Sequence, residues 1–185
     1  MNLRYPILSA TVSFVAISSV TGYVQDETIV GLRTRAEHGD ADAQYRLGSM
    51  YDYGQGFLQD LQDDVEAVKW YRLAAKQNHV EAQLVLGYRY QRGEGVPRDY
   101  VLSYMWFELA VSRASEAIRG RAIRARNEVT EFLTLDEREE AKARALEARQ
   151  SEAEQARERG LLALEAGSLS LAREWFAHAL ERGGE

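Results

Sequence analysis

The chain has 185 residues, 45% hydrophobic and 28% charged, with ten tyrosines, five phenylalanines and three tryptophans. That composition suits one globular domain with appendages and is too apolar and aromatic for a disordered chain. A net charge of -6 leaves no global positive field to hold nucleic acid, and the absence of cysteine removes disulfides, thiolate catalysis and zinc–sulfur sites. Two prolines against a richness in Ala, Leu, Arg and Glu favour an all-helical fold.

Residues 1–25 read as a separate unit. Arg4 precedes a stretch from Tyr5 to Gln25 without charge, and Ile7 to Val20 is apolar but diluted by Ser9, Thr11, Ser13, Ser18 and Ser19. This describes a secretory signal peptide, with cleavage after Val20-Thr21-Gly22 or, second, after Ala16-Ile17-Ser18. The competing reading is an uncleaved anchor through residues 5–24, giving membrane association. The hydroxyl residues weaken the run and favour cleavage. Either way the remainder is expected to be exported, to the periplasm or the outer face of a bacterial inner membrane.

Next along the chain, Asp26 can cap a short helix from Glu27 to His38 that Gly39 ends. An internal repeat follows. Ala36 to Gly48 returns 39 residues later as Ala75 to Gly87, matching Ala43/Ala82, Gln44/Gln83, Leu47/Leu86 and Gly48/Gly87, then Tyr51/Tyr90. Gly54-Gln55-Gly56 matches Gly93-Glu94-Gly95, and Ala67-x-x-Trp70-Tyr71-x-x-Ala74 is echoed by Ser103-x-x-Trp106-Phe107-x-x-Ala110. Trp70 to Trp106 is 36 residues, so the first copy holds three extra residues between Gly56 and Asp63. Ala172, Trp175, Phe176 and Ala179 give the motif a third time.

Each copy has the spacing of a helix hairpin. Small Ala and Gly allow close approach, with Gly48 and Gly87 as the close-contact positions. Trp70 and Trp106 are expected to be largely buried in equivalent environments. The Gly-x-Gly pairs should end the first helix of each hairpin, and Asp63 and Asp99 should cap the second, with Pro97 stiffening that loop.

Together these motifs resemble the Sel-one-like repeat (SLR), a tetratricopeptide relative, over roughly residues 36–112. The resemblance implies a right-handed α/α solenoid of Sel-one-like, tetratricopeptide-like hairpins. Residues 26–112 would hold the repeats, at about 40–75 and 79–112. Tyr104 to Ala110 with the charged helix after it resembles the C-terminal cap of bacterial members. Residues 113–133 would then be a capping helix, amphipathic from Ser115 through Ile118, Ala122, Val129 and Phe132. Thr134-Leu135-Asp136-Glu137 is a capping box that starts a long charged helix, unbroken to Gly160 or Gly167. That helix reads as a solvated arm or a partner-binding surface. Gly160, Ala163, Gly167, Ala172, Phe176 and Ala179 resemble an ordinary tetratricopeptide unit, so residues 134–185 combine the long helix with a C-terminal hairpin.

Signals for enzymology are poor. The chain has no phosphate-binding loop, nucleophile elbow or His-Glu-x-x-His motif, so no catalytic residue, cofactor or metal is expected. His38 and His79 fall near helix ends, where a cation is mildly favourable. Members of the resembled family bind partners; one cysteine-rich subgroup has been linked to penicillin binding, which this cysteine-free chain does not support. By the packing of that family, Tyr45, Ser49, Asp52, Tyr53, Leu84, Tyr88, Gln91 and Arg92 point into the concave groove, with Asp42 and Glu81 beside them. Arg119, Arg121, Arg124 and Arg126, next to Arg113, form a basic patch that either pairs with the acidic 136–158 stretch or meets an acidic partner or anionic lipid. The leading expectation is a non-enzymatic adaptor or scaffold that binds protein partners and no nucleic acid. The alternative is a membrane-anchored structural subunit or assembly factor of a larger envelope complex.

Overall fold

The computed structural model describes residues 29–54 and 62–183. The N-terminal leader or anchor, the Asp26 cap, Gly56 and most of the three-residue insertion lie outside the described residues. Eight helices make up the described part: α1 (Ile29–Glu37), α2 (Ala41–Tyr53), α3 (Asp64–Lys76), α4 (Val80–Arg92), α5 (Tyr100–Arg113), α6 (Glu116–Thr130), α7 (Leu135–Glu165) and α8 (Leu169–Gly183). No strand occurs among the described residues. Helices α2–α3, α4–α5 and α7–α8 form hairpins; α1 packs on α2, α3 on α4, and both α6 and α7 on α5. The result is an α/α solenoid.

Local chemistry sets the helix boundaries. Asp40, Asp63 and Asp99 each accept a backbone N–H three residues on, at 2.9 Å, and begin α2, α3 and α5. Thr134 and Glu137 form the reciprocal capping box that starts α7. Gly54 and Gly93 end α2 and α4 in the left-handed conformation. Gly95 has a different task from the cap expected of it. Its φ is +69°, and a Cβ there would sit 2.2 Å from the Asp64 carbonyl oxygen, so the second glycine lets the loop touch the start of α3.

Glycine and ring fill one another's space in each hairpin. A Cβ at Gly48 would lie 2.9 Å from the Tyr71 ring, and one at Gly87 would lie 2.3 Å from the Phe107 ring. Tyr71 and Phe107 are the fully buried rings, at 1% and 0% exposure. Trp70 and Trp106 are half-buried instead of largely buried. Their surroundings do correspond: Trp70 leans on the cluster of Leu32, Ala36, Ala43 and Leu47, and Trp106 on that of Ala67, Val68, Ala82 and Leu86, in each case the preceding helix pair. One position along the helix separates a ring that closes its own hairpin from one that seals the joint to the helix pair before it.

Two matched glutamines supply the other joint. Gln44 Nε2 donates to the Ala36 carbonyl at 3.0 Å, and Gln83 Nε2 to that of Ala75 at 3.1 Å. Each buried amide thus ties an incoming helix to the last turn of the helix before it, as a second donor to a carbonyl that otherwise accepts only the backbone N–H three residues on.

Helix α7 is neither a free arm nor broken at Gly160. Its 31 residues run about 46 Å at 1.5 Å per residue. The face of Ala141, Ala145, Ala153, Ala156, Gly160 and Ala163 is buried. Its first half seats Ala145 against Met105 and Leu109 of α5, and its second half faces α8. Glu152, half-buried, accepts from Arg113 at 2.7 Å.

Candidate functional site

Helices α2 and α4 present the side chains that their hairpins leave over. Asp52, Tyr53, Val85, Tyr88, Arg89, Arg92 and Glu94 line one cavity of about 140 Å³ between the ends of these two helices. Tyr53 stands 69% exposed at its mouth. The Arg92 guanidinium lies 5.5 Å from the Tyr88 ring centroid, over its face, while Tyr88 meets Phe107 edge-on at 5.0 Å. Farther along α2, Tyr45 stacks on His79 at 4.5 Å and tilts against Tyr71 at 5.7 Å. Burial, with the Glu81 charge next, raises the Tyr45 phenol above the ordinary tyrosine range, so it remains a neutral donor.

The floor of the cavity is a charge lock. Arg89 donates to Asp52, and reaches Asp64 at 3.0 Å and Glu94 at 3.3 Å. The Tyr71 hydroxyl donates to the second Asp52 oxygen at 3.0 Å. Burial alone would lower the Arg89 pKa, but the hydrogen bond and charge of Asp52 outweigh it and leave it raised. Burial, reinforced by Asp52, pushes the Tyr71 phenol far up, so it stays protonated. The array is a structural clamp holding α2, α3 and α4 in register.

Of the groove residues read from sequence, Tyr53, Tyr88 and Arg92 come together at the cavity, and Tyr45 lies on the same side. Ser49 and Gln91 are half-buried. Asp52, only 7% exposed, belongs to the clamp and not to an open groove wall. Leu84, at 2%, is in the core with Phe107, Ala122, Ala125 and Val129, because α6 lies over it. Tyr45 and Tyr88 both pack as well as face the groove. Sequence reasoning missed Arg89, whose partners Asp64 and Asp52 are 25 and 37 residues away; its local signals were Glu94, five residues on, and the aligned position beside Tyr90.

The basic patch divides in two. Arg126 donates to Glu108 at 2.8 Å and Arg119 to the Ala114 carbonyl at 2.9 Å, both toward α5. Arg121 and Arg124 are exposed and occupy the other edge of α6. Arg113 alone meets the acidic 136–158 stretch, through Glu152.

His79 departs from the expectation of a cation at a helix end. It occupies the position of Asp40 and caps the N-terminus of α4, its Nδ1 accepting from Ala82 N at 3.2 Å. That bond assigns the ring proton to Nε2, which faces Asp42 at 3.1 Å. His38 does sit at a helix C-terminus, its Nδ1 2.7 Å from the Thr34 carbonyl. Among the described residues no group of three His, Asp or Glu is spaced to hold a metal ion.

The Sel1 repeat matches residues 41–79 and 80–115, which are α2–α3 and α4–α5 with their caps. These two hairpins are Sel1 repeats. An ERAD-associated E3 ubiquitin-protein ligase component, HRD3B of Arabidopsis thaliana, is 32% identical over 82 residues, 44% of this chain and 13% of that protein. A sel1-like repeat-containing protein of Acanthamoeba polyphaga mimivirus is 27% identical over 96 residues, 52% of this chain and 17% of its own length. The chain therefore spans less than a fifth of the curated relatives it matches. Among solved structures, a protective antigen present in uropathogenic Escherichia coli, with an SLR fold, superposes with a TM-score of 0.60 at 26% identity. That match covers 81% of this chain and 27% of the antigen. Sel1 repeats are a scaffold for protein–protein interaction, and here the scaffold leaves the Tyr53–Tyr88–Arg92 face open.

Proposed function

We propose that this chain is a non-enzymatic adaptor that docks a protein partner on the concave face of its Sel1 repeats, and that it is exported. The observation that carries the docking reading is the cavity of Tyr53, Val85, Tyr88 and Arg92, built from side chains of two successive repeats, with Tyr53 and Arg92 exposed at it. Tyrosine and arginine supply large contact areas and are the usual dominant residues of protein interfaces. Export rests on the composition of residues 1–25 alone.

Tyr53→Ala with Arg92→Glu is the discriminating variant, since Tyr53 and Arg92 are both exposed. It should keep the parent melting temperature and lose the proteins that the parent captures from an envelope extract. If it captures the same set while Leu162→Glu, on the exposed side of α7, loses it, the docking surface is the C-terminal hairpin. The N-terminal mass of the protein recovered from cells tests export. Tyr23 or Ser19 first supports a cleaved, exported protein. Met1 retained on a protein that sediments with membranes supports the anchored subunit instead.

A further inference from the structure

We propose that the concave face takes an acidic, extended segment of the partner protein, with carboxylates held by Arg92 at one end and by Arg121 and Arg124 at the other. This names the partner chemistry of the docking face described above and rests on that reading.

Charge across the face is unevenly satisfied. The acids at its floor are taken: Asp52, Asp64 and Glu94 surround Arg89, and Asp42 lies against His79. Glu81, the remaining acid there, lies 3.6 Å from the Nδ1 that accepts from Ala82 N, so the imidazole does not pair it. The cations are less completely taken. The nearest carboxylate to Arg92 is that of Glu94, at 3.9 Å. Arg121 and Arg124 make no ion pair with any described residue, whereas Arg119 and Arg126 on the same helix are both engaged. In a chain carrying 29 acidic residues against 23 basic ones, the unpaired Arg121 and Arg124, with Arg92 held only at 3.9 Å by Glu94, call for an external anion.

The helix geometry puts that side toward the groove. Ala122, Ala125 and Val129 seat α6 in the core with Leu84 of α4. Arg119 and Arg126 mark the edge of α6 that faces α5. Arg121 and Arg124, one turn apart, fall on the opposite edge, toward α4. The Arg121 charge is felt at the Tyr45 phenol of α2, where it acts against burial. An anionic bilayer has the same charge but the wrong shape, because a flat surface does not reach side chains on the inner curve of a solenoid. An extended peptide does. Beside its carboxylates, the cavity of about 140 Å³ accepts one apolar anchor.

A phage-displayed library of random peptides, about twelve residues each to span the ~20 Å of a strand-like segment or more, selected on the full chain tests the proposal. The selected pool should be enriched in Asp and Glu with one aromatic or Leu. Fluorescein-labelled synthetic copies should lose about tenfold or more in affinity to Arg121→Glu with Arg124→Glu, and should weaken as salt rises. That charge-reversed protein, checked for an unchanged melting curve, should itself select Lys- and Arg-rich peptides. Three results overturn the proposal: pools that are neutral, basic or empty; acidic peptides that bind the reversed protein equally well; or an effect of the reversal confined to phosphatidylglycerol vesicles. Neutral peptides lost on Tyr53→Ala but not on the Arg121 and Arg124 changes would overturn the acidic preference and leave the docking face standing. Peptides indifferent to both sets would overturn the two together.

Discussion

The second and the C-terminal hairpins make the same contact in different company. Gly87 faces Phe107 and Gly160 faces Phe176, and a Cβ would meet the ring at 2.3 Å in one and 2.9 Å in the other. Phe107 is nevertheless wholly buried, whereas Phe176 is half-buried. Helices α3, α6 and α7 surround the first ring's hairpin, while the last hairpin leaves Leu161, Leu162, Leu164, Leu169 and Leu180 exposed. Glycine and ring close a hairpin; burial of the ring comes from its neighbours in the stack.

The largest expected effect tests that distinction directly. Phe107→Ala should cost about 3–5 kcal/mol in urea unfolding, the usual cost of a large core cavity. Phe176→Ala should cost about half as much, because half-burial forfeits part of the transfer free energy. Equal losses would mean that the C-terminal ring is as enclosed as the inner one.

Arg89→Ala should follow closely, at about 3–5 kcal/mol, since it strands a buried Asp52 carboxylate with only the Tyr71 hydroxyl. Arg113→Ala, which removes the half-buried pair with Glu152 in the C-terminal region, should cost about 1 kcal/mol. A reversal of that order would shift the main electrostatic joint from the repeats to α7.

Gly87→Ala should destabilise by about 1–3 kcal/mol, because the Phe107 ring has nowhere to go. At Gly160 the half-buried Phe176 can swing aside, and alanine gains up to about 1 kcal/mol of helix propensity. Gly160→Ala should therefore be near neutral by the same thermal melt.

The smallest effect concerns the N-caps. Asp40→Ala should cost about 1 kcal/mol. The Ala43 N–H, then Arg35, holds the Asp40 carboxyl below the ordinary aspartate range. A lowered folded value means that its contribution is present above about pH 4 and lost as the pH falls through that lowered value. Asp40→Asn should flatten this acid limb while keeping most of the cap. A melt with an unchanged acid limb would show that the charge contributes nothing.

Much of this fold is legible in one sequence because its signals are local. Asp63, Asp99 and Thr134 announce helix starts within four residues, and the repeated Gly-x-Gly announces helix ends. The errors arise where distant residues decide. Trp70 and Tyr71 are adjacent, and only the partner helix determines which ring is enclosed. Leu84 fits a groove-facing position until α6, some 40 residues on, covers it. Asp52 resembles a surface acid until Arg89 draws it inward. Gly95 reads as a second helix terminator because nothing nearby in sequence reveals the Asp64 carbonyl pressed against it. The Tyr53–Tyr88–Arg92 face was readable since it uses what the repeat pattern leaves over. The division of the arginine patch was not, because it depends on which edge of α6 meets Glu108.

The Arg89 clamp also bears on how the array comes apart. A linear stack of repeats with weak joints frays from its ends, each unit opening on its own free energy. Arg89 gathers carboxylates from the end of α2, the start of α3 and the loop after α4, so opening either repeat abandons a charge inside the other. Coupling between neighbours then rivals the intrinsic stability of each unit. Helices α2 to α5 should exchange their amide hydrogens as one cooperative block, slower than α8 and at one common opening rate.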